Sequence, residues 1–267
     1  MDLGLEGAAA AVTGGTKGMG RATAMCLAAE GARVAVLARG QQALDETVTA
    51  LKEAGSPDAI GVVTNVSKSD EVNQAFATIG ERWGSLNVLI NTVGPGAGTF
   101  EELTDEQWAA TIRIGTMAAV YCVRAALPLL RAAEWARIVN FAAHSIQRQS
   151  PLIVAYTASK AALASVSKNL AKSLAPEGIL VNTVSPGTIV TASFTEALKP
   201  LFDEQGLDSS NPHDVMRWIE QNYHQPADLG RAGLPDEVAT AATYLASRRN
   251  GYITGANVNV DGGSDFV

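Results

Sequence analysis

The chain has 267 residues, 47% of them apolar, enough for one large α/β core and far from the composition of a disordered chain. A formal charge of −7 and a pI near 5.0 exclude a general electrostatic attraction to nucleic acid or to an anionic membrane surface. Its two cysteines, Cys26 and Cys122, fall in apolar stretches that read as helices; they are expected to be buried free thiols, which implies a reducing compartment.

The opening MDLGLEGAAAAVTGG has no basic region ahead of its apolar run, and no apolar run approaches the ~20 residues that span a bilayer, so the expected location is the cytoplasm. His144, His213 and His224 lack metal-ligand spacing, and no metal is assigned.

In chain order, short runs rich in valine and isoleucine alternate with longer segments of helical period. Strands are predicted at 8–13, 33–38, 60–64, 86–91, 137–141, 180–184 and 258–260, and helices at 18–30, 41–54, 69–83, 104–131, 155–175 and 235–247. The run AAAAV by itself favours a helix, but its shortness and the glycines after it arbitrate for a strand. Thr104 followed by Gln107 reads as a capping box, and Ser69 before an acidic first turn as another helix start. Right-handed crossovers between seven strands put helices on both faces. The expected fold is a Rossmann-like, doubly wound, seven-stranded parallel α/β sheet in a single domain, 1–267, with ligands at the carboxyl ends of the strands.

Between 191 and 230 the pattern lapses into prolines, acidic residues and the bulky Phe194, Phe202, Met216, Trp218 and Tyr223. A connection of this length predicts a substrate lid; a helical hairpin used for subunit contact is the alternative.

Thr13-Gly14-Gly15-Thr16-Lys17-Gly18-Met19-Gly20 lies where the first strand turns into the first helix. Glycines there allow a close approach to a pyrophosphate, with helix N-terminal amides as donors. An acidic residue at the end of the second strand would repel a 2′-phosphate. Here Ala38 is followed by Arg39, and with Lys17 in the loop the pair points to NADP(H) over NAD(H).

At this point the residues resemble the short-chain dehydrogenase/reductase family, and 3-oxoacyl-carrier-protein-reductase-like members within it, over essentially the whole chain. Thr13, Gly14, Gly18 and Gly20 match its glycine motif, Asn91-Thr92-Val93-Gly94 looks like its Asn-Asn-Ala-Gly segment, and Tyr156 and Lys160 match Tyr-x-x-x-Lys. Pro186-Gly187 is similar to its turn beside the nicotinamide, and the 258–263 stretch VNVDGG to its closing strand. The resemblance implies cofactor contacts at Gly14, Thr16, Lys17, Gly18, Met19, Gly20, Arg39, Asn65, Val66, Asn91, Gly94, Tyr156, Lys160, Pro186, Gly187, Ile189 and Thr191. It also implies a homotetramer, with which the apolar 117–130 run is compatible.

Three positions depart from that pattern. The family's aspartate near the adenine is Asn65, its helix asparagine aligns with Gly115, and its catalytic serine, thirteen residues before the tyrosine, aligns with Ala143. Glycine within a helix points to a local demand for space, for a water or a bulky substrate, and Thr116 is a candidate to take over the amide's role. Ser145 is the candidate replacement for the serine hydroxyl, with His144 beside it as the alternative donor. Losing one donor aimed at a developing oxyanion costs ~3–4 kcal/mol.

Carbonyl reduction needs a proton at oxygen as hydride reaches carbon. Tyr156 is the expected acid, and Lys160, one helical turn along, is expected to lower its pKa toward the working pH. The reading is an NADP(H)-dependent oxidoreductase interconverting a small-molecule ketone and a secondary alcohol, on a 3-oxoacyl thioester or a hydrophobic cyclic ketone. The alternative is an NADP(H)-binding protein with little activity, acting as a regulator or assembly subunit.

Overall fold

The computed structural model describes residues 2–224 and 226–264. Seven parallel strands form one sheet: β1 Ala9–Thr13, β2 Arg33–Ala38, β3 Ala59–Val63, β4 Val88–Asn91, β5 Ala136–Phe141, β6 Ile179–Pro186 and β7 Asn257–Val260, in the order β3-β2-β1-β4-β5-β6-β7. Side-chain alternation splits each strand between two cores. Ala10 and Val12 of β1, Val88 and Ile90 of β4, and Val139 and Phe141 of β5 face α1 (Gly18–Ala29), α2 (Gln41–Glu53) and α9 (Pro235–Ala246). Ala9, Ala11, Leu89 and Ile138 face the opposite layer of α3 (Ser69–Trp83), α5 (Ala118–Ala132) and α6 (Val154–Leu174). The alanine-rich β1 is wholly buried, so the run that reads ambiguously becomes a central strand.

The predicted 104–131 helix is α4 (Asp105–Ile112), a π turn at Arg113–Met117, and α5. Thr104 and Gln107 do form the reciprocal capping box. The other predicted start is corrected: Lys68 is the N-cap of α3, without a side-chain cap, and Ser69 is already helical. The continuous helix Asp105–Ala132 also revises the expectation about apolar runs, because an 18-residue window in it, of mean hydropathy 1.3, is apolar and long enough to cross a membrane. In this fold Cys122, Val123, Ala126 and Leu130 of that helix are buried in the core against α3 and the sheet. Cys122 is buried as expected, whereas Cys26 is only partly so.

Residues 191–230 are mainly helical: α7 (Ala192–Glu204) is capped by Thr191 and α8 (Pro212–Tyr223) by Asn211. Phe202, Val215, Met216, Trp218 and Ile219 build a third apolar cluster there, with Phe202 and Trp218 rings 5.3 Å apart. A parallel bridge between Ile189 and Gly233 pins the two ends of the segment together.

Candidate active site

Strand order reverses between β1 and β4, and a cleft of about 560 Å3 opens at the carboxyl ends of the strands there. Gly14, Thr16, Lys17, Gly18, Met19, Gly20, Arg39, Asn65, Val66, Gly94 and Thr191 all line it. Sequence reasoning missed Thr64, Ser67, Thr92, Ile114 and Ser193, which line it too. Thr92 was within reach, since it sits inside a motif already recognised; Ile114 and Ser193 arrive only through the π turn and α7.

The glycine loop is shaped by close approach. A Cβ on residue 20 would lie 2.5 Å from the Gly14 carbonyl oxygen and 2.6 Å from Thr92 Oγ1. That threonine stitches β4 to β1 by donating its hydroxyl to the Thr13 carbonyl at 2.6 Å. The first turn of α1 has no acidic residue and, unlike those of α4, α7 and α8, no side-chain cap, so its amides stay available to an anion. Lys17 and Arg39 stand exposed at this rim, with no carboxylate partner among the described residues. Uncapped amides, a cradle that a Cβ would fill and two unpaired cations fit a dinucleotide carrying an extra phosphate.

Behind Gly94, at the other end of the cleft, α6 brings Tyr156 and Lys160 together. A Cβ on residue 94 would be 3.6 Å from Lys160 Nζ and 3.8 Å from Tyr156 Cε2. Lys160 Nζ lies 6.0 Å from the centre of the Tyr156 ring and donates to the Phe141 carbonyl at 2.6 Å and the Val93 carbonyl at 3.3 Å. The expected acidification of Tyr156 is not what this geometry produces. Burial pushes the phenol up to about 12 and the Lys160 ammonium down to about 8, because each charged form loses its hydration and the ammonium bonds backbone carbonyls instead of the phenol oxygen.

Ala143, fully buried, carries no polar atom toward this end. Ser145 is buried in a short turn and its Oγ accepts from Thr157 Oγ1 at 3.0 Å, which leaves its own O–H to donate elsewhere. His144 reaches across the strand ends and donates from Nδ1 to the Pro186 carbonyl at 3.1 Å. Gly187 donates its amide to the Val260 carbonyl at 3.0 Å.

Asn91 does not line the cleft. Its Nδ2 donates to Asn140 Oδ1, and Asn140 in turn donates to Ser167 Oγ, each at 2.8 Å, forming a buried polar link from β4 through β5 to α6. Ile189 lines a separate cavity of about 470 Å3 with Arg231, Glu237 and Asp261. The room expected at Gly115 is filled by Ser159, and Thr116 Oγ1 donates to the Ser159 carbonyl at 2.8 Å, locking the π turn onto α6.

The family model described as enoyl-(acyl carrier protein) reductase matches residues 14–265. A 3-oxoacyl-[acyl-carrier-protein] reductase of Synechocystis sp. is 34% identical over 257 residues, covering 95% of each chain. Dehydrogenase/reductase SDR family member 4 of Caenorhabditis elegans is 30% identical over 260 residues, covering 97% of this chain and 95% of that protein. The structure of L-sorbose reductase from Gluconobacter frateurii, complexed with NADPH and L-sorbose, superposes over the whole of both chains with a TM-score of 0.92 at 29% identity. With the switch-point cleft, the glycine loop and the Tyr156–Lys160 pair already in one place, these matches make the chain an oxidoreductase of the short-chain dehydrogenase/reductase family.

Proposed function

We propose that the protein is an NADP(H)-dependent oxidoreductase interconverting a ketone and a secondary alcohol. The observation that carries this reading is the pairing of a phenol and an ammonium directly behind Gly94, at the end of a cleft that also presents uncapped helix amides and two cations with no carboxylate partner among the described residues. The α1 amides, Lys17 and Arg39 would hold the phosphates, and the bound dinucleotide would supply or take up the hydride. Tyr156 holds the transferred proton on its hydroxyl at neutral pH and gives it to the carbonyl oxygen. Lys160 offsets the negative charge left on the phenol. The helical segment from 191 to 230 serves as the substrate cover, since Thr191 and Ser193 line the cleft. The substrate is a 3-oxoacyl thioester or a hydrophobic cyclic ketone. A reductase of 3-oxoacyl groups among the relatives supports the first.

The test is turnover of NADPH with acetoacetyl-coenzyme A, cyclohexanone and L-sorbose, repeated with Tyr156→Phe. The phenylalanine variant should lose nearly all activity while keeping its affinity for NADPH. Absence of turnover with every ketone, or full activity without the phenol, defeats the proposal. A second reading, a dinucleotide-binding protein with little chemistry, draws on the apolar Ala143. Tight NADPH binding with no oxidation would favour it.

A further inference from the structure

We infer that Asn65 reads the purine of the bound dinucleotide as a hydrogen-bond donor, so that the site takes a 6-oxopurine (hypoxanthine) dinucleotide at least as well as the 6-aminopurine (adenine) one. This rests on the dinucleotide reading above. The cleft has a direction: α1 amides in the middle, Gly94 with Tyr156 and Lys160 behind it at one end, and Arg39 followed by Asn65 and Ser67 at the other. Phosphates at α1 and a reacting ring beside Tyr156 leave the second base over the end of β3.

The side-chain amide of Asn65 has a fixed orientation there. The Ser67 backbone amide donates to Asn65 Oδ1 at 3.1 Å, and Ser67 Oγ donates to the same oxygen at 2.8 Å. A backbone N–H only donates, so the atom facing it is the oxygen and not the nitrogen. The Asn65 amide N–H, bonded to Glu71 Oε2 at 2.7 Å, holds the backbone of this turn in place. Both lone pairs of Oδ1 are thereby engaged. What Asn65 has left for the cleft is Nδ2, whose two hydrogens have no partner among the described residues.

An exocyclic 6-amino group is itself a donor and gains nothing from a second donor. A 6-oxo group accepts. Adenine still finds an acceptor for Asn65 in its ring nitrogens, so the adenine form binds, but the amino group is not selected by this residue. Asn65→Asp changes one atom's chemistry at constant shape: one carboxylate oxygen stays with Ser67 and the other offers an acceptor to a 6-amino group.

The experiment compares dissociation constants for NADPH and for reduced nicotinamide hypoxanthine dinucleotide phosphate, by fluorescence of the reduced nicotinamide, in the unmodified protein and in Asn65→Asp. The unmodified protein should bind the 6-oxo form as tightly as NADPH or more tightly. Asn65→Asp should swing the ratio toward NADPH by about fivefold or more, the worth of one hydrogen bond. A threefold or greater preference of the unmodified protein for NADPH overturns the inference, as does a ratio that Asn65→Asp leaves in place. If neither nucleotide binds, the dinucleotide reading itself fails and takes this inference with it.

Discussion

A Cβ atom on residue 115 would lie 2.1 Å from Ser159 Oγ and 2.6 Å from Ser159 Cβ, so Gly115 and Ser159 share a single volume between the π turn and α6. Ser159 is held there by donating its hydroxyl to the Tyr156 carbonyl at 2.7 Å. Gly115→Asn therefore overpacks the contact, at about 1–3 kcal/mol. For a domain of this size that lowers the melting temperature by roughly 2–4 °C per kcal/mol. Adding Ser159→Gly should recover part of the loss, as a positive coupling in a double-mutant cycle of thermal melts. A Gly115→Asn protein that melts like its parent would show that the two residues do not compete.

Arg39 and Lys17 give a prediction on affinity. Among the described residues neither has a carboxylate to release, so their charge is available to a ligand phosphate. Arg39→Ala should weaken NADPH binding by about ten- to a hundredfold, the worth of a charge-assisted hydrogen bond, and leave NADH nearly unchanged. Titration of both nucleotides at two ionic strengths checks it, since the NADPH difference should shrink in high salt. Equal losses for the two nucleotides would place the effect elsewhere.

The depressed pKa of Lys160 predicts how stability depends on pH. In the unfolded chain this lysine titrates near its ordinary 10.5, and in the folded one near 8. Between these values the unfolded state binds the extra proton, so stability rises with pH across that window and is lost again as pH falls toward 8. Lys160→Met has no such dependence. The melting temperature of the unmodified protein relative to that variant should accordingly climb between pH 8 and pH 10. A constant difference would mean that the buried amine keeps its usual pKa.

Arg148 ties three segments together: it donates to the Ser264 carbonyl at 2.7 Å and to the His224 carbonyl at 3.0 Å, joining the turn after β5 to the end of α8 and to the segment after β7. His224 is itself a left-handed C-cap with φ of 54°, an uncommon conformation for a residue other than glycine. Arg148→Ala should cost about 1–2 kcal/mol and speed hydrogen exchange in α8 ahead of the sheet. Arg148→Lys should rescue little, because one ammonium lacks the planar fork that spans both carbonyls. Unchanged exchange in α8 with Arg148→Ala would remove the tie.

Much of the scaffold was legible because it is written in local terms. The glycine loop, the capping box at Thr104 and the alternation along β4 and β5 each depend on neighbours in sequence. The helices of the 191–230 segment were legible only as the alternative to a lid, since Pro200 lies inside α7 and Pro212 opens α8, and both read as breakers. Side-chain directions were the least visible. Nothing near Ser145 in sequence announces that Thr157 donates to it, and nothing near Gly115 announces Ser159. The shift at Tyr156 was read with the wrong sign because spacing reveals the neighbouring ammonium but not the loss of hydration around both groups.

The pairing of β7 with β6 has a consequence for how the protein is made. Strands β1 to β4, which carry the phosphate end of the cleft, are complete by Asn91. The Pro186 turn on which His144 leans is braced by β7, through contacts such as that between Ser185 and Asn257, 72 residues apart. On the ribosome strands β1 to β4 nonetheless lack α9, on which α1 packs, and the Pro186 turn lacks β7, so neither is braced until the last elements emerge. A translation product stopped short of α9 would leave both the glycine-loop helix and the Pro186 turn unsupported.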